Sequence, residues 1–250
     1  MAQTIVAFTK SINPTSTLTK LDAVEDDQFT VKDEYLYVSD LNQIMAVKAG
    51  GEKIRQARLT APSLLRMFPL DVYPVLAEDN PGDPDPIDNR LDNPLALVKA
   101  EGLYAEVMND GTPTTSHDYW VTVMLADGKF TPVSGDIFTK RVTFTGTPTA
   151  KEWSSVTISG LEDLPAGRYQ LVGADVRSGS GIAFRFLPVG GGWRAGGFTH
   201  WMYSTCYEFQ RQGKLGVWFE FEHNTPPKLE IFETGTETPS YGYLDLIKVA

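Results

Sequence analysis

The sequence predicts an all-β chain built as two consecutive eight-stranded antiparallel jelly-roll sandwiches with few short helices. Three observations lead there. Short alternating runs of β-branched and aromatic residues recur along the whole chain. The 16 prolines and 22 glycines fall mostly between those runs, as they must where interior strands exclude proline from the ladder. Segments of the first half also return, in order, in the second half.

Clear runs include Thr4 to Thr9 (TIVAFT), Asp118 to Leu125 (DYWVTVML), Lys140 to Thr145 (KRVTFT), Ser154 to Ser159 (SSVTIS) and Val217 to Glu222 (VWFEFE). In the last, alternation puts Val217, Phe219 and Phe221 on one face and Trp218, Glu220 and Glu222 on a wetter one. Strands of the first copy are expected to begin near Thr4, Thr17, Glu34, Gln56, Phe68, Gly102, Tyr119 and Lys129. Those of the second begin near Phe138, Ser154, Arg168, Ile182, Gly197, Leu215, Lys228 and Tyr241. Asp127-Gly128 reads as a hairpin turn, because Gly tolerates positive φ. Ser39 to Lys48 reads as a short helix capped by Ser39 or Asp40, and Ser63 to Met67 as a further helical turn. Eight antiparallel strands in two facing sheets are the strand count of a jelly roll.

The repeat sets the domain organisation. Val6–Thr9 matches Val142–Thr145 at an offset of 136, and Tyr35–Val38 matches Tyr169–Val172 at 134. Ala57–Leu59 matches Phe184–Phe186 at 127, and Gly102–Val107 matches Gly216–Phe221 at 114. The offset falls in one direction, as longer loops in the first copy require; Ser39–Met45 and Glu78–Asn93 are the inserted candidates. The expected domains are residues 1–136 and 137–250, with the boundary near Asp136.

Composition narrows the function. With 22 Lys+Arg against 32 Asp+Glu the net charge is −10 and the pI about 4.8, which argues against a broad nucleic-acid surface. No apolar run approaches the ~20 residues of a membrane-spanning helix. Met1-Ala2-Gln3-Thr4 has neither the basic nor the apolar part of a secretory leader, so none is expected. One cysteine, Cys206, allows neither an intramolecular disulfide nor a cysteine-rich zinc site.

Candidate chemistry is sparse. His117, His200 and His223 belong to no HExxH or HxH motif, and no GxSxG elbow marks a nucleophile. They are expected at strand ends or contacts rather than in a hydrolytic triad. Cys206, within Trp201–Tyr207, sits among aromatics and is expected to pack as a small hydrophobe. Gly190–Gly197 (GGGWRAGG) lacks the Gly-Lys-Ser/Thr ending of a phosphate loop, and reads as an inter-strand loop projecting Trp193 and Arg194 into a neighbouring surface. In Glu78–Pro94 the carboxylates Asp79, Asp83, Asp85 and Asp88 have a calcium-ligand chemistry without EF-hand spacing, and a solvated, protruding loop is the simpler reading. Glu106 and Glu220 fall at matching repeat positions, which points to structure rather than a carboxylate pair for glycoside hydrolysis. No catalytic, cofactor or metal residue is assigned.

Two consecutive eight-run β units, with phrases such as Gly50–Leu64 (GGEKIRQARLTAPSL) and Leu164–Gly173 (LPAGRYQLVG), resemble the double jelly-roll major capsid proteins of tailless icosahedral viruses. That resemblance implies a structural, non-enzymatic protein of the virion shell, assembled in the host cytoplasm. It implies a homotrimer that presents six similar sandwiches as a pseudo-hexameric tile. The tile's partners are neighbouring capsomers and minor capsid or vertex proteins, and in many members a membrane lies beneath the shell. The chain is short for the family, which implies small towers. Only Lys10 and Lys20 are basic in the first twenty residues, so no direct nucleic-acid contact is expected. Two other readings are compatible with the composition. One is a tandem receptor- or carbohydrate-binding spike module stacking sugars on Trp120, Trp153, Trp193, Trp201 or Trp218. The other is a β-sandwich glycosidase with two carboxylates in a cleft.

Overall fold

A computed structural model describes residues 2–67, 73–75, 77–78, 87–129, 132–200 and 207–249. It is all-β, with antiparallel sheets arranged as jelly-roll sandwiches. The chain divides into two compact units: Val6–Asp127, and Gly128–Ala250 joined by Met1–Ile5. They are called the first and second sandwich. The expected boundary residue Asp136 lies in the stretch leading from the last strand of the first sandwich to the next strand.

In chain order the first part contains β1 (Gln3–Ile12), β2 (Thr19–Lys20), β3 (Asp22–Ala23), β4 (Thr30–Lys32), β5 (Tyr35–Tyr37), β6 (Gln43–Gly50) and β7 (Ile54–Thr60). Helix α1 (Pro62–Met67) follows, then β8 (Tyr73–Val75), β9 (Ala77–Glu78), β10 (Ile87–Asn89), β11 (Leu95–Ala96), β12 (Gly102–Asn109) and β13 (His117–Ala126). The second part contains β14 (Phe138–Thr145), β15 (Trp153–Ser159), β16 (Arg168–Arg177), β17 (Gly181–Leu187), β18 (Gly196–Phe198), β19 (Phe219–Glu222), β20 (Lys228–Glu233) and β21 (Tyr241–Lys248). A single 3₁₀ turn, Glu208–Gln210, precedes β19.

The strand orders of the two parts coincide. One sheet of the first sandwich runs β10-β6-β13-β1, and the corresponding part of the second runs β19-β16-β21-β14. The opposite sheet runs β2-β12-β7-β8, with β15-β20-β17-β18 as its counterpart. The corner between sheets is also shared. Thr19–Lys20 pairs with β12 while Asp22–Ala23 turns to pair with β1; likewise Trp153–Val156 pairs with β20 while Thr157–Ser159 pairs with β14.

Register carries the match to single residues. On β6, Met45 is an extra residue between Ile44, opposite Leu125, and Ala46, opposite Met124. On β16, Val172 is extra between Leu171, opposite Leu246, and Gly173, opposite Asp245. A second bulge places Arg55 between Ile54 and Gln56, and its counterpart Ile182 between Gly181 and Ala183. Both bulges repeat at the same offset of 127. A bulge inserts one unpaired residue and bends its strand, so two at one shared offset align Gln43–Thr60 with Gln170–Leu187 without a gap.

This register corrects several sequence expectations. Ser39–Lys48 is not a helix: its second half lies in β6, between β10 and β13, with all but its first residue buried. Apolar residues on both faces blur the two-residue period that marks a half-buried strand. Tyr35–Tyr37 is not the counterpart of β16 but half of an inserted hairpin, β4–β5. Gly102–Val107 corresponds to β20, not to Gly216–Phe221, which leads into β19. Lys129 is in no described strand: β13 ends at Ala126, Gly128 takes φ 69°, and the next described strand, β14, pairs with β15 and β21 rather than with β13. Phe68 lies outside the described residues. The helical turn near Ser63 is α1, whose Ser63 amide is capped by Glu101: Ser63 N–H and Oγ both donate to the Glu101 Oε2 at 3.0 Å.

The core of the second sandwich is aromatic. Phe184 and Phe186 on β17 point the same way, with ring centroids 5.7 Å apart, and meet Trp218 and Phe219. Trp218 is therefore buried at 6% exposure, against the expected wetter face, because it precedes β19 and does not share that strand's alternation. In the first sandwich the positions equivalent to Phe184 and Phe186 are the buried Ala57 and Leu59.

Candidate functional site

On β7 and β17, inward-facing residues flank an arginine, so both arginines lie on the outer face of their sheet. Arg58 stands opposite Glu106, and Arg185 opposite Glu230. The ion pairs are 2.7 and 2.6 Å long. Glu106 thus matches Glu230. The expected partner, Glu220, is instead on β19, beside Gln170 and Arg168 near solvent. The Gly-x-x-x-Glu spacing that suggested Glu220 arises from β composition alone.

The two faces differ in what covers them. Arg185 is 1% exposed: its guanidinium lies 4.1 Å from the centre of the Trp153 ring, and Arg194 reaches Glu230 at 3.1 Å. Arg194 does not project outward as expected, because the glycine-rich loop after β17 folds back until Phe186 N–H meets the Ala195 carbonyl. Thr4 Oγ1 donates to the Arg194 carbonyl at 2.9 Å. In the first sandwich the Arg58 side chain is 25% exposed. Beside it Lys20, opposite Glu106 in register, lies over the rings of Tyr35 and Tyr104 and donates to the Tyr35 hydroxyl at 2.7 Å. That hydrogen bond raises the Lys20 pKa.

Two buried carboxylates fasten the segment before β19 to the second sandwich. Asp245 accepts from Arg211 Nε and Nη2 at 2.6 and 2.8 Å, from Gln212 N–H at 2.8 Å and from Thr139 Oγ1 at 2.7 Å. Burial raises its pKa, but these donors and the Arg211 charge outweigh burial and hold it below the usual carboxylate range. Asp175 is likewise raised by burial and lowered further by His200 and Arg177. His200 Nδ1 lies 2.6 Å from it.

His200 and Asp175 have the geometry of two members of a triad. The other imidazole nitrogen, Nε2, accepts the backbone N–H of Tyr207. It is therefore occupied by the main chain where a nucleophile would have to bind. His117 Nε2 contacts Thr115 Oγ1, and His223 Nδ1 accepts from Gly167 N–H. Glu233, fully buried at the end of β20, behaves differently: burial and the charge of Glu237 raise its pKa to about 7, offset in part by the Ser180 hydroxyl at 3.0 Å.

Asp79, Asp83, Asp85, Trp201 and Cys206 lie outside the described residues. Asp88 is part of β10 and pairs with Arg90 at 3.1 Å. Among the described residues no three His, Cys, Asp or Glu side chains are grouped to hold a metal. Trp120, at 1% exposure, and Trp218 are core residues and offer no sugar-stacking surface, whereas Trp153 is half-buried with the Arg185 guanidinium over its ring.

No protein-family model matches the chain, and no curated protein matches it. Among solved structures it is similar to the major capsid protein P2 from bacteriophage PM2, at 9% identity and a TM-score of 0.28, over 99% of this chain and 98% of that one. It is also similar to a Paenibacillus xanthan lyase, at 12% identity and a TM-score of 0.23, over 100% of this chain and 25% of that one. Neither similarity is close enough to assign a function.

Proposed function

We propose that this chain is the major capsid protein of an icosahedral virus, and that three copies form a pseudo-hexameric tile of its shell. The observation that supports this most is the duplication at the level of strand order, corner and bulge. Three chains of two equivalent sandwiches supply six near-equivalent units, which is what a six-sided tile requires and what a single binding or catalytic site does not. The polar chemistry agrees with a structural role. The Arg–Glu pairs join adjacent strands, the Asp245 and Asp175 clusters pin a loop segment, and the imidazole beside Asp175 is taken by the main chain. No enzymatic step is proposed.

The test is the mass of the purified chain in solution. Sedimentation equilibrium should give three times 27.6 kDa. A species of one chain at every concentration, from a source containing no shells by electron microscopy, would refute the proposal.

A further inference from the structure

One buried position is satisfied in the first sandwich and left open in the second. Ile54 and Gly181 are equivalent at the shared offset of 127, so Glu233, opposite Gly181, occupies the place of Asn109, opposite Ile54. The next residues agree: Asp110 N–H donates to the Lys53 carbonyl, and Thr234 N–H to that of Ser180. Asn109 is 1% exposed and Glu233 0%. Asn109 is fully engaged. Its Oδ1 accepts the Thr15 and Gly111 amides, both at 2.9 Å, and its Nδ2 donates to the Tyr119 hydroxyl at 3.0 Å and the Asn13 carbonyl at 3.5 Å. Glu233 has the Ser180 hydroxyl, 3.0 Å from Oε2. Its Oε1 is enclosed and has no hydrogen-bond partner among the described residues. The Lys151 amide donates to the Glu233 main-chain carbonyl instead of the carboxylate. A second carboxylate lies beside the first. Glu237 rests on the turn between β16 and β17, where a Cβ added to Gly179, the neighbour of Ser180, would collide with its Oε2. The Glu237 charge acts on Glu233, and no cationic side chain pairs with either carboxylate among the described residues. A buried carboxylate oxygen without a donor is costly, and a second negative charge nearby adds to that cost. A cation removes both at once.

We infer that Glu233, Glu237 and Ser180 form a binding site for a hard divalent cation of the calcium class. All three offer oxygen, the donor that calcium takes, and calcium tolerates the irregular geometry of two carboxylates and a hydroxyl completed by water. Glu233 and Glu237 supply charge that balances the ion. Glu237 is exposed, so the site is open to solvent on one side and the ion has a way in. Once bound, the ion ties the end of β20 to the turn between β16 and β17. The first sandwich needs no such ion, because its equivalent residue is an uncharged amide whose hydrogen bonds are already made. The site lies within the second sandwich, so its test does not depend on the shell reading.

The experiment uses the full chain, stripped with a chelator and then titrated with calcium chloride at pH 8. Isothermal titration calorimetry reads binding, and circular dichroism melting reads its effect on stability. The wild-type chain should bind calcium and melt about 5 °C higher once calcium exceeds its dissociation constant about a hundredfold. Glu233→Gln should lose the shift, and Glu237→Gln, at an exposed position that leaves folding intact, should weaken binding at least about tenfold. A control, Glu222→Gln, removes an exposed carboxylate on β19 and should keep the wild-type response. If Glu233→Gln does not fold, Glu237→Gln and Ser180→Ala carry the comparison. No heat and no shift in the wild-type chain, or a shift that Glu237→Gln and Glu222→Gln retain equally, overturns the site.

Discussion

Arg58 and Arg185 hold the same place in two copies of one sheet, yet their surroundings give them different weights. Arg185 and Glu230 are removed from water, so truncating the arginine leaves a buried carboxylate that has lost its shortest ion pair among the described residues and keeps the Arg194 contact at 3.1 Å. Breaking a buried pair costs about 3–5 kcal/mol, whereas a partly exposed pair contributes about 1 kcal/mol or less. Arg185→Met should therefore lower the urea midpoint far more than Arg58→Met. Equal shifts would show that the two faces are equally wet. Glu233 gives a pH signature of opposite sign to an ordinary paired carboxylate. Its pKa is about 7 in the folded chain against a usual 4.5. Below 4.5 both folded and unfolded chains hold the proton. As pH rises from 4.5 to 7 the unfolded chain releases it first, so folding loses at most about 3 kcal/mol, and the loss levels off above 7. Glu233→Gln should abolish that decline. Thermal melting of both proteins at pH 5 and pH 8 checks this, and parallel curves would contradict it.

At the scale of elements, the segment from Tyr207 to Gly216 lies against β16, and Gly173 permits its close approach. A Cβ at Gly173 would sit 2.9 Å from the Arg211 Cα and 2.8 Å from Asp245 Oδ2. Gly173→Ala should destabilise the chain by about 2 kcal/mol through overpacking, measured by urea unfolding. Asp245→Asn removes the charge that receives Arg211 and should make Arg211 and Lys214 early sites of trypsin cleavage. Cleavage no faster than in the wild type would show that this pin is not what holds the segment. Acid acts in the same direction. The lowered pKa values of Asp245 and Asp175 contribute stability above the usual carboxylate pKa, and that stability is lost as pH falls through their folded values.

Much of the element pattern is legible in the sequence, because strands such as Lys140–Thr145 have one wet face and alternate visibly. β6 is not legible, because burial on both faces gives its residues no polar rhythm. The repeat shows the same limit. Matches at β1 and β7 are real equivalences, whereas Tyr35–Val38 and Gly102–Val107 are matched by strand composition alone. The ungapped alignment of Gln43–Thr60 with Gln170–Leu187 is present in the sequence, and a strand assignment for Gln43–Gly50 would have exposed it. The Arg185–Glu230 pair needed cross-strand register, which no local pattern states. Phe138 was legible as a strand start but not as an exposed one, since exposure depends on what the rest of the chain leaves uncovered.

At the scale of the molecule, two sandwiches with the same strand order and the same two bulges make a chain that would count as two in the proposed tile. The account's central claim is that three such chains stand in for six units. Class averages of the purified protein by electron microscopy test it most directly. The account predicts particles with six lobes of nearly equal size, three-fold in true symmetry, at a mass of three chains. Particles with two lobes and the mass of one chain, unchanged as concentration rises, would contradict it.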